Sequence, residues 1–446
     1  MTGLQMSGGL SSQKTPVEVD LVIAHAAEVL TCRPASGRGV RGADLGRPER
    51  IADGALAIDG GRIVAVGPSA EVLARHTGRE VLDATGRLVT PGFVDTHTHL
   101  VHDGYRHEEW GRKVLGTPGG SLASGIGHTA RTTAAAGFER LRDGALSRLD
   151  TMLAHGTTTA EAKSGYGLTA AAERRLLQVV AALDHPVDVV GTFLGAHVPP
   201  PGAPREEHVD GVIAQLGEVR HLAEFCDVTC DPAGFAPAEC LKIARAADEH
   251  GYRLRFHADQ TGHGAGAETA VEAGAASADH LEHVTDRAIG MLADSDTVAT
   301  LLPGVSYHLM DMVPGPGEEG WSDPRRPRLA ERYRRLVDSG ALVALATDYN
   351  PGSSPNLSMQ AVLQLAARLY RLGYGEVWHM STINAAVSLG RDADIGSLEP
   401  GKRADAVIWN VPSHEHVVNR FGANLVASVI KDGALRAPAR REDGDA

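Results

Sequence analysis

The pattern of apolar and polar positions changes twice along the chain and divides it into three regions. From Val17 to Leu82, short apolar stretches alternate with polar residues, and an Asp-Gly-Gly segment at 59–61 is typical of a hairpin turn. From Leu88 onward, short apolar runs alternate with Ala- and Leu-rich segments of helical period. After Ile395 strands and glycine turns return. The pattern predicts β structure at both ends of the chain and an α/β region between them.

The middle region contains eight predicted strands separated by helices. The strands are Leu88–Asp95, Thr157–Ala162, Val187–Leu194, Phe225–Thr229, Leu254–His257, Ala276–Asp279, Val298–Leu302 and Leu342–Thr347. The helices between them include Ala170–Leu183, Pro237–His250, Ala265–Ala273 and Asp286–Leu292. Eight strands that alternate with helices predict a (β/α)8 TIM barrel of the α/β class.

The two β-rich ends are expected to pair into one small domain. We predict a composite β-sandwich from residues 17–87 and 395–437, with the barrel, residues 88–394, inserted between its halves. Residues 1–16 and 438–446 are expected to be disordered tails, since they are polar and lack an apolar period.

Composition excludes several classes of function. A net charge of −13 without a long Lys/Arg block argues against a nucleic-acid partner. No apolar run reaches the ~20 residues of a membrane span, and the amino terminus lacks the features of a signal peptide. The four cysteines have neither zinc-finger nor disulfide spacing, so free thiols and a cytoplasmic location are expected.

Candidate chemistry lies where the predicted strands end. His97 and His99 are separated by one residue, so on a strand both imidazoles point to the same face, although such a pair also occurs on ordinary solvated strands. His257, His280 and Asp348 follow the fifth, sixth and eighth strands. Active sites of TIM barrels lie at this carboxyl edge. Three imidazoles and one carboxylate from this set suit Zn²⁺ or Fe²⁺, with a water in the open position.

These residues, together with three further segments, resemble the amidohydrolase superfamily over about residues 17–435. The segments are Lys163-Ser-Gly-Tyr166-Gly-Leu, Thr192-Phe-Leu-Gly-Ala-His197 and Thr347-Asp348-Tyr-Asn350-Pro-Gly352-Ser. The resemblance implies that the enzyme opens the cyclic amide of 4-imidazolone-5-propanoate to give N-formimidoyl-L-glutamate, a step of histidine degradation. It also implies a small-molecule substrate with a carboxylate tail, and a homodimer.

The resemblance implies roles for particular residues. One divalent ion, Zn²⁺ or Fe²⁺, would be held by His97, His99, His257 and Asp348. The substrate would be bound by Arg106, Tyr166, His197, Asn350 and Gly352. An arginine suits a carboxylate because its guanidinium binds both oxygens, but Arg106 could instead be a surface residue paired with Glu108 or Glu109.

The expected reaction is attack on the ring carbon by hydroxide from a metal-activated water. Asp348 would take the proton of that water and pass it to the ring nitrogen, and His280 would orient the hydroxide or stabilise the oxyanion. Gln260 stands where many family members have a glutamate, and a glutamine can only hydrogen-bond. A carbamylated Lys163 that bridges two metals is an alternative to the mononuclear site.

Two departures from the family pattern, Gln260 and the small residues at 117–121, leave other functions open. Small residues at 117–121, around Gly119, replace an expected tyrosine, so the pocket could accept another heterocycle for amide hydrolysis or ring deamination. His263 is a candidate for the acid-base capacity that Gln260 lacks, although a plain loop histidine is the simpler interpretation. An inactive metal-binding scaffold is a further alternative, against which the complete ligand set argues.

Overall fold

The computed structural model describes residues 15–115, 122–199, 202, 204–309 and 325–438. Most of both predicted tails and the small-residue segment at 117–121 lie outside these residues. The described residues form two eight-stranded sheets, one from the middle of the chain and one from its two ends.

The strands and helices alternate through the middle of the chain, as the sequence pattern predicts. The strands are β1 (Val17–Leu30), β2 (Arg50–Asp59), β3 (Arg62–Pro68), β4 (His76–Asp83), β5 (Leu88–Pro91), β6 (Phe93–Asp95), β7 (Thr157–Lys163), β8 (Asp188–Ala196), β9 (Phe225–Cys230), β10 (Arg253–Ala258), β11 (Ser277–His280), β12 (Val298–Leu301), β13 (Val343–Leu345), β14 (Ala406–Trp409), β15 (Val426–Lys431) and β16 (Ala434–Pro438). The helices are α1 (Ser69–Leu73), α2 (His107–Val114), α3 (Leu122–Ala135), α4 (Phe138–Ala154), α5 (Ala170–Ala181), α6 (Arg205–Val219), α7 (Pro237–Glu249), α8 (Gly266–Glu272), α9 (Asp286–Ala293), α10 (Pro303–Leu309), α11 (Arg325–Asp338), α12 (Met359–Tyr370), α13 (Tyr374–Ser381), α14 (Ile383–Leu389) and α15 (His414–Asn419).

The middle sheet is a parallel barrel with the strand order β6-β7-β8-β9-β10-β11-β12-β13. Its first and last strands meet at their carboxyl ends. The amide of His99 donates to the carbonyl of Tyr349 at 2.8 Å, and the Thr347 hydroxyl donates to the Asp95 carboxylate at 2.6 Å. The predicted (β/α)8 barrel is confirmed.

The terminal sheet combines strands from both ends of the chain in the order β16-β15-β14-β5-β1-β2-β3, with β4 paired to β1. It is a mixed sheet, because β1 runs parallel to β4 and β5 but antiparallel to β2. The predicted hairpin joins β2 to β3, and its two glycines, Gly60 and Gly61, have φ values of 56° and 76°. A separate sheet built from both termini agrees with the expected small β-sandwich.

The predicted first barrel strand, Leu88–Asp95, is wrong in one respect, because it is two strands. β5 pairs with β1 and β14 in the terminal sheet, whereas β6 pairs with β7 in the barrel. The chain changes sheets at Gly92, where a Cβ would lie 2.3 Å from the Thr158 hydroxyl oxygen. A residue without a side chain is needed for this close approach. The division at residues 17–87, 88–394 and 395–437 stays a prediction.

Two further sequence predictions concern cysteines and membranes. All four cysteines are buried and free, which confirms that they form no disulfide framework. Within the described ranges, no helix has the length and apolar character needed to cross a membrane.

Candidate active site

The predicted metal ligands meet at the carboxyl edge of the barrel. His97 and His99 follow β6, His257 lies near the end of β10, and Asp348 follows β13. His280, the last residue of β11, lies beside them, with its ring centroid 5.5 Å from that of His97. All five side chains are buried. The barrel therefore collects side chains that are up to about 250 positions apart in the chain.

Their ligand-capable atoms converge. The Nε2 atoms of His99 and His257 are 3.5 Å apart, and Asp348 Oδ1 lies 3.5 Å from His97 Nε2 and 3.6 Å from His99 Nε2. His97, His99 and His257, hereafter the histidine cluster, offer nitrogens that all lie within 4.8 Å of one another. His97 Nε2 and Asp348 Oδ1 are buried and lack a hydrogen-bond partner among the described residues. Buried polar atoms normally have partners, so this donor set fits a divalent cation.

The opposite ring nitrogens of two cluster histidines are fixed by carboxylates. His97 Nδ1 donates to Asp279 Oδ2 at 2.7 Å, and His257 Nδ1 donates to Asp227 Oδ1 at 3.1 Å. A proton on Nδ1 leaves the lone pair on Nε2, which faces the cluster. This carboxylate–histidine arrangement is typical of the outer shell of metal sites.

Electrostatics keep the histidines neutral. Burial lowers the pKa of His97 and of His99 well below the usual value, and it also lowers the pKa of His257 although Asp227 opposes it. Burial raises the pKa of Asp348 to about 7, while His280 acts in the opposite direction. Neutral imidazoles are the form that binds metal ions.

Two of the site residues have strained backbones. His280 has a φ of 84°, and Asp348 has a φ of 47°. Non-glycine residues rarely adopt these values, and the strain is characteristic of residues whose orientation matters for function. Both side chains lie beside the histidine cluster, where such a functional orientation is expected.

Tyr166 and His197 line the site next to His99. Their ring centroids lie 5.3 Å and 5.0 Å from that of His99, and the His197 ring is stacked on it. His197 Nδ1 donates to the carbonyl of Gly165 at 2.8 Å, so its Nε2 carries the lone pair. Burial lowers the pKa of His197 to about 3. Both rings thus lie beside a candidate metal ligand, and their role in substrate binding stays a prediction.

Arg106 is buried and already has a carboxylate partner. Its guanidinium donates from two nitrogens to the two oxygens of Glu109, both at 2.8 Å. The ion pair that the sequence analysis offered as the alternative is thus present, but Arg106 is only 5% exposed, unlike a surface arginine. Cβ atoms added to Gly125 and Gly352 would lie 1.8 Å and 1.9 Å from guanidinium nitrogens. The guanidinium is therefore confined between two glycines.

Asn350 organises the loop that carries Asp348. Its side-chain oxygen accepts hydrogen bonds from the amides of Gly352 and Ser353, at 2.9 Å and 2.7 Å. Its side-chain nitrogen donates to the Asp348 carbonyl at 2.7 Å. Asn350 thereby links the Asp348 backbone to the turn that faces Arg106.

Gln260 and His263 follow β10 and are less enclosed. Gln260 is partly exposed, two residues beyond the strand. The His263 side chain is 55% exposed, with its Nδ1 atom 3.8 Å from Asp259 Oδ1, which is too far for a hydrogen bond. Neither residue has the burial of the histidine cluster, and their roles stay predictions.

Sequence reasoning missed the charged residues beneath the cluster. Glu161, Asp227, Arg255 and Asp279 are fully buried inside barrel strands, and only Lys163 was considered for a role. A signal was available, because each of these charged residues stands within a short predicted barrel strand, where most side chains are buried. Charged residues are rarely buried without a partner, so their placement in core strands indicates a network.

The chain is similar in sequence and fold to amidohydrolases. A model of the amidohydrolase family matches residues 88–436. In fold, the chain is similar to a zinc-bound adenosine deaminase from Xanthomonas campestris, with a TM-score of 0.66, 18% identity and coverage of 96% of this chain and 94% of that one. It is also similar to E. coli guanine deaminase, with a TM-score of 0.65, 17% identity and coverage of 94% and 99%.

Closer relatives define the group within this class. A model of the imidazolonepropionase-like composite domain of bacteria matches residues 54–78. Imidazolonepropionase of Symbiobacterium thermophilum is 41% identical over 94% of this chain and 97% of the relative. Imidazolonepropionase of Geobacillus thermodenitrificans is 39% identical over 93% and 97%. The chain belongs to the imidazolonepropionase family of amidohydrolases and is a hydrolase.

Proposed function

We propose that this enzyme hydrolyses the ring of 4-imidazolone-5-propanoate to N-formimidoyl-L-glutamate with the help of one divalent metal ion. The observation that carries the proposal is the convergence of three imidazoles and the Asp348 carboxylate in a buried site. Burial raises the pKa of Tyr166, which lines this site, and the nearby Arg106 guanidinium opposes that rise. Relatives with the name imidazolonepropionase over almost the whole chain support the choice of substrate.

The histidine cluster and Asp348 would hold the ion. Nitrogen ligands with one carboxylate suit both Zn²⁺ and Fe²⁺, so elemental analysis of the purified protein must decide between them. When bound, such an ion acts as a Lewis acid on the amide carbonyl and lowers the pKa of water. Lys163 is paired with Glu161 and Asp227 at 2.9 Å and 2.8 Å, which favours a single ion over a carbamate-bridged pair.

Arg106 would bind the propionate of the substrate. A carboxylate can replace Glu109 as the bidentate partner of the guanidinium, since both present the same two oxygens. Tyr166 and His197 would pack against the imidazolone ring, and the His197 Nε2 atom could accept a hydrogen bond from a ring N–H.

Asp348 would move the proton. Burial raises the pKa of this carboxyl in the metal-free site, and a cation bound beside it would lower the pKa again and keep the carboxylate form, which accepts a proton. His280 faces the same carboxylate. Burial would lower the pKa of His280, but Glu282 and Asp348 together raise it above the usual value. A protonated His280 would stabilise the oxyanion, whereas Gln260 could only donate or accept a hydrogen bond.

The test is steady-state turnover of imidazolonepropionate, generated from urocanate, beside a panel of related cyclic amides and aminated rings. We expect imidazolonepropionate to have the highest kcat/KM and Asp348→Asn to lower kcat at least about a hundredfold with an unchanged circular dichroism spectrum. A higher kcat/KM for another ring would contradict the proposed substrate but not the assignment of the protein as a hydrolase. Metal content, measured on the same preparation, should be one equivalent per chain. A homodimer and a cytoplasmic location stay predictions.

A further inference from the structure

A single ammonium lies at the centre of the charged network beneath the histidine cluster. Lys163, the last residue of β7, is fully buried. Its Nζ atom lies 2.9 Å from Glu161 Oε1 and 2.8 Å from Asp227 Oδ2. Two carboxylates of the barrel thus share one cation. Each of them also makes a hydrogen bond to a residue of the histidine cluster or to the residue between two of its members.

The first connection reaches His257. Asp227 accepts the Nδ1 proton of His257 at 3.1 Å through Oδ1, while its other oxygen faces Lys163. Asp227 therefore lies between the ammonium and the imidazole with one carboxylate oxygen toward each, so Lys163 fixes the orientation of the group that orients His257.

The second connection reaches His97 and His99 through the residue between them. Glu161 Oε2 accepts from the amide of Thr98 at 3.0 Å, and its backbone carbonyl accepts from the Thr98 hydroxyl at 2.6 Å. The backbone amide of Lys163 donates to the Thr98 carbonyl at 2.9 Å. The peptide that sets the spacing of the two histidines is thereby anchored on three atoms.

We propose that Lys163 is a positioning residue that holds all three histidines of the cluster in ligand geometry, through Asp227 on one side and Glu161 on the other. The inference rests on the proposed metal site. It also assigns Lys163 as a free ammonium and not a carbamate, because a carbamate would place a third negative charge between two buried carboxylates. Burial alone would lower the pKa of Lys163, but Asp227 and Glu161 raise it above the usual value.

The test measures zinc affinity of the metal-free protein by competition with a chromophoric chelator, a readout independent of turnover. The double variant Lys163→Met with Glu161→Gln removes one positive and one negative charge, so the buried site gains no net charge. We expect its Kd for Zn²⁺ to rise about ten- to a hundredfold, as for other outer-shell changes at metal sites. An unchanged Kd would overturn the proposal.

A matched control separates positioning from stability. Lys431 is also fully buried and paired with carboxylates, at 3.2 Å from Asp405, but it lies in the terminal sheet. Lys431→Met should lower the Tm and leave the Kd for Zn²⁺ within about twofold. An equal loss of zinc affinity in this control would assign the effect to general destabilisation and reject the proposal.

Two further measurements remove the remaining ambiguities. Should the double variant fail to fold, Asp227→Asn, which keeps Lys163 beside Glu161, tests the first connection with the same expected direction. Removal of CO2 or addition of bicarbonate should not change zinc affinity, whereas a dependence on bicarbonate would indicate a carbamate and overturn the assignment. If the wild-type chain binds no Zn²⁺ or Fe²⁺, the proposed metal site itself fails, which is a different result from equal binding by wild type and variant.

Discussion

Two histidines of the cluster, His97 and His257, have a carboxylate partner. In each of them Nδ1 is hydrogen-bonded to that carboxylate, and Nε2 remains available to bind a metal ion. Asp279 and Asp227 accept from the Nδ1 atoms of His97 and His257. The sequence predicted the ligand side of this arrangement, because the spacing of His97 and His99 places two imidazoles on one face. It could not predict which buried carboxylate approaches which ring, since that depends on how the barrel brings together strands that are far apart in the chain, and not on local spacing.

Arg106 provides a test of substrate binding at the level of one residue. If Arg106 binds the propionate as proposed, replacement by alanine removes a bidentate, charge-assisted interaction worth about 1.5–3 kcal/mol. We expect Arg106→Ala to raise KM for imidazolonepropionate about tenfold or more and to change kcat much less, as determined by steady-state kinetics. Arg106→Lys should restore little, because an ammonium cannot bind both oxygens in a plane.

The control is an arginine near the same edge of the barrel that lies on the surface. The Arg140 side chain is 71% exposed and pairs with Asp103 at 3.0 Å. Arg140→Ala should leave KM unchanged. An unaltered KM in Arg106→Ala would remove this residue from the propionate site and leave it as the buried partner of Glu109.

At the scale of elements, the apolar runs predicted the barrel strands well because each strand is short, buried on both faces and followed by a polar turn. β9, for example, was predicted at 225–229 and spans Phe225–Cys230. The error at Leu88–Asp95 has a physical cause. Both halves of this run are apolar, so periodicity could not show that the chain passes from one sheet to the other at Gly92.

The loop after β13 gives a prediction at this scale. It brings Gly352 against the Arg106 guanidinium, which Gly125 of α3 confines from another side. A methyl group at Gly352 would overlap a guanidinium nitrogen and displace it. We therefore expect Gly352→Ala to raise KM for imidazolonepropionate about as much as Arg106→Ala, with little change in Tm, in kinetic and thermal-unfolding measurements.

Gly290 in α9 is the matched control for this substitution. A Cβ at Gly290 meets no atom within 4 Å. Gly290→Ala should leave KM unchanged and stabilise the protein by about 0.5–1 kcal/mol, since alanine is the better helix former. Normal KM in Gly352→Ala would mean that the guanidinium moves aside without functional loss.

At the scale of the whole molecule, the terminal sheet contacts the barrel at the starts of its strands, opposite the site. Trp409 of β14 packs on Phe93, the first residue of β6, with ring centroids 5.6 Å apart. Lys431 of β15 lies 3.0 Å from Asp188, the first residue of β8. The amino ends of TIM-barrel strands serve stability and the carboxyl ends serve chemistry. The pairing of both termini followed from their β patterns, but the face that they cover depends on such long-range contacts.

Trp409 therefore tests whether the two sheets unfold together. It is fully buried, packs on both Phe93 and Trp378, and donates from Nε1 to the Thr90 hydroxyl at 2.9 Å. Loss of this side chain leaves a cavity between the sheets, so Trp409→Ala should lower the free energy of unfolding by about 3–5 kcal/mol. Circular dichroism and fluorescence should follow one shared urea transition, and KM of the remaining folded enzyme should stay unchanged. Trp110 of α2 is 41% exposed, so Trp110→Ala should lower the free energy of unfolding much less. Two separate transitions in Trp409→Ala would show that the barrel folds without the terminal sheet.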